Sequence, residues 1–387
     1  MNPLPFESNS PVELAQALIR TPTVTPEDGG LQGAIGDFLK KAGFSVRHFN
    51  FGGVANLTAS FGRGSPNVCL VGHTDVVPVG DEKKWSIPPF EGRIAGDRLI
   101  GRGACDMKGA VACQMIAARR FIQKNGGSFK GKISLIFSGN EETSEPTSGA
   151  AYLLEQLAQS GEKIDYALVG EPTNPKEMGE VVKQGRRGII QGSVSILGKQ
   201  GHVGYPHLVK NPIHHSLSIL RELAQCDWDG GKPQTGFQSS NLQLTEVKAG
   251  SGVYNIIPGN LIFKFAIRYN PSCSLERVET ECHRLLRTSG LEYKLDLTNP
   301  VRPFFSENAR LMATLKEIIK KRCGKTPEFN TTGGASDAYH LAERGIAVME
   351  FGLAGGSLHQ VDEWARIADI ELLAQIYEEF LTAMTTV

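Results

Sequence analysis

Apolar residues along this chain fall into two rhythms, one typical of helices and one of buried strands. Near the start, Ser10-Pro11-Val12-Glu13 combines a hydroxyl cap, a proline at the first helical position and an acid three residues on. That pattern predicts a helix running to about Arg20. A second helix is expected to stop at Gly43, since glycine commonly sits just past a helical C-terminus. Short β-like runs occupy 44–48, 56–61 and 67–71, and the apolar runs 133–137, Tyr166–Val169 and 346–351 read as strands buried on both faces. Helical patterns at 107–123, Gly149–Gln159 and 309–321 separate several of them. Strands alternating with helices predict an α/β fold whose main domain is a mostly parallel sheet flanked by helices.

The stretch from about 187 to 299 has its own order. A strand at 189–197, a helix at Pro212–Gln225, strands at 238–247 and Asn260–Tyr269, a helix at 275–288 and a strand at 291–295 give β-α-β-β-α-β, the ferredoxin-like arrangement. At 387 residues the chain exceeds the size at which one core usually stops growing, so two domains are expected. The expected division is a discontinuous domain of 1–186 and 300–387 with an inserted domain of 187–299.

Composition narrows the class of partner. Apolar residues make up 40% and charged residues 21%, as in an ordinary globular protein. No apolar run approaches the ~20 residues of a membrane helix, and the opening residues lack the basic and apolar stretches of a signal peptide. Seven cysteines, an odd number with no CxxC pair, predict a reducing compartment, hence the cytoplasm. The 41 basic and 41 acidic residues balance, which gives no electrostatic case for nucleic acid or an anionic membrane. A small-molecule ligand is expected.

Four β-like runs lead into residues of one chemical kind. The run ending at Gly72 leads to His73-Thr74-Asp75, and the run ending at Ser138 leads to Asn140-Glu141-Glu142. Tyr166–Val169 leads to Gly170-Glu171-Pro172, and the run at 346–351 leads through a glycine-rich loop to His359. In addition, Gly101-Arg102-Gly103-Ala104-Cys105-Asp106-Met107-Lys108-Gly109 places Asp106 in a glycine-rich turn before a helix. Ligands of open α/β sheets bind outside the carboxyl ends of the strands, so these residues can converge. Two histidines with several carboxylates suit zinc or a similar divalent ion. Five such ligands give three contacts to each of two ions only if one carboxylate bridges them, a pairing that can activate water. Of the adjacent acids Glu141 and Glu142, one can bind metal while the other takes a proton.

Bland readings compete with each residue. Asp106 is also placed to cap the following helix, and adjacent glutamates are usually solvated. Gly101-Arg102-Gly103 before a helix suggests a phosphate loop of a nucleotide-dependent oxidoreductase, although Asp106 stands where the dinucleotide fingerprint needs glycine. A non-catalytic amino-acid-binding module is a third reading, and it has no need of two adjacent acids at a strand end. Metal content separates the three.

The segments 72–75, 101–109 and 140–142 resemble the zinc aminoacylase and carboxypeptidase G family, over nearly the whole chain. The segments 170–172, 182–188, 201–207, 255–258 and 333–337 resemble members acting on a succinylated amino acid. The resemblance implies an amide hydrolase with two zinc ions per chain, for which cobalt can stand in. Asp106 would bridge the ions, His73 and Glu171 would complete one site, and Glu142 and His359 the other. Glu141 would be the general base, with Asp75 orienting His73. The Asp106–Met107 peptide would be cis.

It further implies that the insert is a lid and dimerisation domain. His202 would reach the partner's active site in a homodimer and stabilise the oxyanion. Arg186, Asn255, Arg268 and Ser336 would contact the substrate. The implied substrate is N-succinyl-L,L-2,6-diaminopimelate, with an N-acetyl amino acid such as N-acetylornithine as the alternative. Three positions depart from the pattern: Asn140 stands where aspartate is commonest, Ala335 where a threonine touches the acyl group, and Gly355 where some relatives have asparagine. The loop 143–148 resembles deacetylating members.

Overall fold

The computed structural model describes residues 8–143 and 149–385. Most of the loop 143–148 and the first seven residues therefore lie outside the described part. The chain divides into two compact units. One comprises the described residues up to Gln184 with Ser306–Asn330 and those from Ser336 onward; the other comprises Gly185–Phe305 with Thr331–Ala335.

The first unit is built on an eight-stranded sheet. In spatial order its strands are Ser45–Phe51, Val54–Arg63, Gly131–Ser138, Asn67–His73, Tyr166–Val169, Ala347–Glu350, Val181–Lys183 and Glu328–Asn330. Its centre, from Gly131–Ser138 to Ala347–Glu350, is parallel, and antiparallel strands flank it. Every residue of Asn67–His73 is buried, which explains its unbroken apolar run. The helices Lys108–Lys124 and Ile367–Thr385 bury apolar faces in the same core, where a fully buried Leu or Phe contributes roughly 1.5–3 kcal/mol. The α/β expectation is borne out, and the first helix forms as expected at Pro11–Ile19, with Ser10 Oγ accepting from the Glu13 amide. The helix Ile367–Thr385 and the three-residue strands Val181–Lys183 and Glu328–Asn330 were not among the expected elements.

The glycine-rich turn needs at least one of its glycines for space. A Cβ on Gly109 would lie 2.3 Å from the backbone oxygen of Ala104, so no side chain fits where the helix Lys108–Lys124 meets the turn.

The second unit carries a four-stranded antiparallel sheet in the order Asn241–Ala249, Asn260–Tyr269, Gly188–Leu197, Glu292–Val301. In chain order that is 2-3-1-4, the ferredoxin-like sheet, with helices Pro212–Gln225 and Leu275–Arg287 in its core. One strand, expected at 238–247, begins three residues late. The Gln238 carbonyl and the Ser240 amide are engaged in a loop network with Asn270 and Asp229 instead of a ladder. Among the described residues, no helix is long and apolar enough to cross a membrane.

Candidate metal centre

Seven of the singled-out residues gather at the carboxyl ends of the parallel strands. His73 closes Asn67–His73, Glu141 and Glu142 follow Gly131–Ser138, and Glu171 follows Tyr166–Val169. His359 lies on the irregular segment after Ala347–Glu350. Its φ of +58° is an uncommon left-handed value for a histidine, whereas the +63° of Asn140 suits an Asn or Asp equally.

Asp106 stands at the centre. Its Oδ1 is 3.2 Å from His73 Nε2, and its Oδ2 is 3.0 Å from His359 Nε2. The same His359 nitrogen is 3.2 Å from Glu142 Oε1, and His73 Nε2 is 3.7 Å from Glu171 Oε1. One carboxylate thus presents a different oxygen to each imidazole, with one glutamate beside each. His73, Asp106 and Glu142 offer ligand atoms within 4.8 Å of one another, and so do His73, Glu141 and Glu171. The Asp106–Met107 peptide is cis.

Asp75 has two tasks. Its carbonyl oxygen is 2.9 Å from His73 Nδ1, with the carboxylate further off at 3.7 Å. The carboxylate oxygens accept the amides of Glu141 and Glu142, each at 3.1 Å. The orienting contact to His73 that the resemblance implied is made mainly by the Asp75 backbone, while the side chain secures the Glu141-Glu142 turn.

The electrostatics explain what such a set accepts. Burial opposes a charge on His73, yet its hydrogen bond to Asp106 and the carboxylates of Glu141, Asp106 and Glu171 raise its pKa well above the usual value. His359 is raised to about 10, first by its hydrogen bond to Asp106 and then by that to Glu142. Burial works to raise Asp106, but the two histidine hydrogen bonds hold it below the usual carboxylate range. Burial, then repulsion from Glu171, pushes Glu141 well up, and burial also raises Glu142. Clustered acids of this kind need positive charge among them. In the metal-free chain the carboxylates favour the protonated form of both imidazoles, and a divalent cation displacing those protons fits the same donors.

The remaining expected residues are divided between the two units. Arg186, His202, Asn255 and Arg268 belong to the second unit. There Arg186, which is buried, donates to the Thr332 carbonyl at 3.2 Å, and a Cβ on Gly333 would lie 2.2 Å from its Nη1. Arg268 has its pKa lowered, by burial first and then by the Arg187 and Arg186 charges, so the three cations share one neighbourhood. His202 is exposed, and its Nδ1 accepts from the Gly204 amide at 3.0 Å; Asn255 is exposed too. Ser336, in the first unit, is buried and gives its hydroxyl to Glu350 Oε1 at 2.6 Å.

Sequence reasoning gave no role to Asp337, Arg102 or Glu363. Asp337 is buried, accepts from Ser138 Oγ at 2.6 Å and adds to the negative field that raises Glu141. Its position next to Ser336 in the 333–337 motif was the one signal for it.

Imidazoles and carboxylates disposed about a shared aspartate, with a further glutamate at hand, define a metal-dependent hydrolase. Residues 69–383 match Peptidase family M20/M25/M40, and the chain belongs to that family. A succinyl-diaminopimelate desuccinylase of Xylella fastidiosa (strain 9a5c) is 40% identical over 366 residues, covering 95% of this chain and 96% of the relative. The fold matches the M20 metallo-carboxypeptidase of Sulfolobus solfataricus with a TM-score of 0.79 at 18% identity, over 97% of this chain and 99% of that one. It also matches a dinuclear metal-binding M20 peptidase of Bacillus subtilis, with a TM-score of 0.70 at 15% identity over 97% and 96% of the two chains.

Proposed function

We propose that this chain is a two-zinc hydrolase that splits N-succinyl-L,L-2,6-diaminopimelate into succinate and L,L-diaminopimelate, a step toward diaminopimelate and lysine. The observation that carries the reading is the 40% identity with a desuccinylase across 95% of the chain. The donor geometry around Asp106 supports it.

In this reading His73, Asp106 and Glu171 would hold one ion, and Asp106, Glu142 and His359 the other. The donors suit zinc, and cobalt can replace it. When bound, the ions supply Lewis acidity to the attacking water and to the amide carbonyl. Glu141 takes a proton from that water and returns it to the amide nitrogen as the bond breaks. Asp75 keeps Glu141 and Glu142 in place through their amides. His202 from a second subunit of a homodimer donates to the developing oxyanion. Arg186, Asn255 and Arg268 take the substrate carboxylates, a task to which the planar fork of arginine is suited. All seven cysteines are free thiols, in keeping with a cytoplasmic enzyme.

The test is a turnover assay on succinyl-diaminopimelate beside acetylated amino acids, with metal removed and restored. A site built for the succinyl carboxylate strands a cation when offered an acetyl group, so the expected preference in kcat/KM is large. Equal or reversed preference defeats the assignment.

A further inference from the structure

Two segments distant in sequence are joined beside the metal centre by one buried ion pair. Arg102 Nη1 donates to Glu363 Oε2 at 2.7 Å, and the two side chains are 2% and 0% exposed. Toward the glycine-rich turn, Glu363 Oε1 accepts the amides of Cys105 and Asp106 at 3.0 and 3.1 Å. One carboxylate therefore fixes the backbone of the central aspartate. Toward the other segment, the Arg102 guanidinium reaches the carbonyls of Gln360 at 3.2 Å and His359 at 3.5 Å, and that of Pro78 at 3.4 Å.

His359 needs such a hold. It is 46% exposed, has a left-handed backbone and lies on an irregular segment between Ala347–Glu350 and Trp364–Arg366, so no strand or helix fixes its place. Net stability is a poor reason for the pair, because desolvating two charges offsets most of their attraction. Directed hydrogen bonds to both segments give it a different use.

We propose that Arg102 and Glu363 are positioning residues for the metal centre. They set the spacing of Asp106 and His359, whose facing atoms are 3.0 Å apart, and thereby the affinity for the ion between Glu142 and His359. The inference rests on the two-metal reading above. Both side chains are buried, which leaves them no surface to offer a substrate.

The test uses the full-length enzyme with the double change Arg102→Met/Glu363→Gln. Glutamine still offers an oxygen to the two amides, whereas methionine cannot bind the carbonyls of residues 359 and 360. Zinc affinities are measured by competition with a fluorescent chelator, and the cobalt-loaded protein is followed by its visible spectrum. One ion is expected to weaken roughly 10–100-fold while the other moves by less than about twofold, the size of effect seen when an outer support of a metal ligand is removed. The cobalt band of the weakened site should change, and excess zinc should restore kcat at unaltered KM.

Wild-type affinity for both ions in the folded double variant overturns the proposal, and so does equal weakening of both. If circular dichroism shows that the double variant does not fold, Arg102→Lys decides by the same outcomes, since it keeps the charge facing Glu363 and loses the fork. His359→Ala is titrated alongside. Should wild-type protein bind fewer than two ions, or His359→Ala leave both affinities intact, it is the two-metal reading that fails.

Discussion

The backbone amide of Glu141 donates to Asp75 Oδ1 at 3.1 Å, so the proposed base is anchored through its main chain by an acid 66 residues earlier. The other oxygen of Asp75 takes the Glu142 amide. Asparagine in that place has one acceptor oxygen for two part-buried donors. Asp75→Asn is expected to lower kcat roughly 10–100-fold, as loss of an outer support does, with metal content unchanged. Steady-state kinetics beside elemental analysis measure both, and unaltered kcat would remove Asp75 from the machinery.

Glu141 and Glu142 are neighbours with different work. Glu141→Gln keeps size and polarity but cannot accept a proton, so turnover should fall by at least ~10²–10⁴-fold with both ions retained. Glu142→Gln should instead release metal. Near-normal turnover in Glu141→Gln would show that the proton goes elsewhere.

Metal binding should be strongly dependent on pH. In the metal-free chain the pKa of His359 is raised to about 10 and that of His73 well above its usual value, so at neutral pH both imidazoles hold protons that a ligating nitrogen must give up. Affinity therefore falls as the pH falls, and binding releases on the order of two protons per chain from the imidazoles, more if a glutamate also ionises. Titration calorimetry in buffers of different ionisation heat counts them. Binding heats independent of the buffer would argue that these histidines are not ligands.

Sharing of the site between subunits is open to a mixing experiment. Glu141→Ala and His202→Ala chains, each nearly inactive, are unfolded together and refolded. If His202 serves the partner, half the dimers are mixed and half of their sites are whole, so about a quarter of wild-type activity returns. If His202 serves its own chain, no site is whole. Flat activity in a sample that contains mixed dimers would rule out the shared site.

How legible this was in the sequence depended on how local each signal is. Strands such as Asn67–His73 stood out because a parallel sheet covered on both faces leaves an unbroken apolar run. Val181–Lys183 and Glu328–Asn330 are too short to show any period, and only their pairing within the sheet reveals them. His73, Glu141, Glu142 and Glu171 could be picked out because each directly follows a readable strand. Arg102 stood in a singled-out glycine-rich segment, but its pairing with Glu363 could not be read, since 261 residues separate the two and nothing local marks Glu363. The double use of Asp75 was hidden for the same reason: a main-chain donor leaves no trace in the identity of its residue.

The discontinuity of the first unit has a consequence for how the enzyme is made. Synthesis runs from one end, so the strands that present His73, Glu141 and Glu171 emerge first, the whole of Gly185–Phe305 follows, and His359 and Glu363 come only after it. A nascent chain halted after the second unit would already display the acids around Asp106 without the imidazole and the carboxylate that complete their surroundings. Any ion that depends on His359 must wait until the second unit has been made.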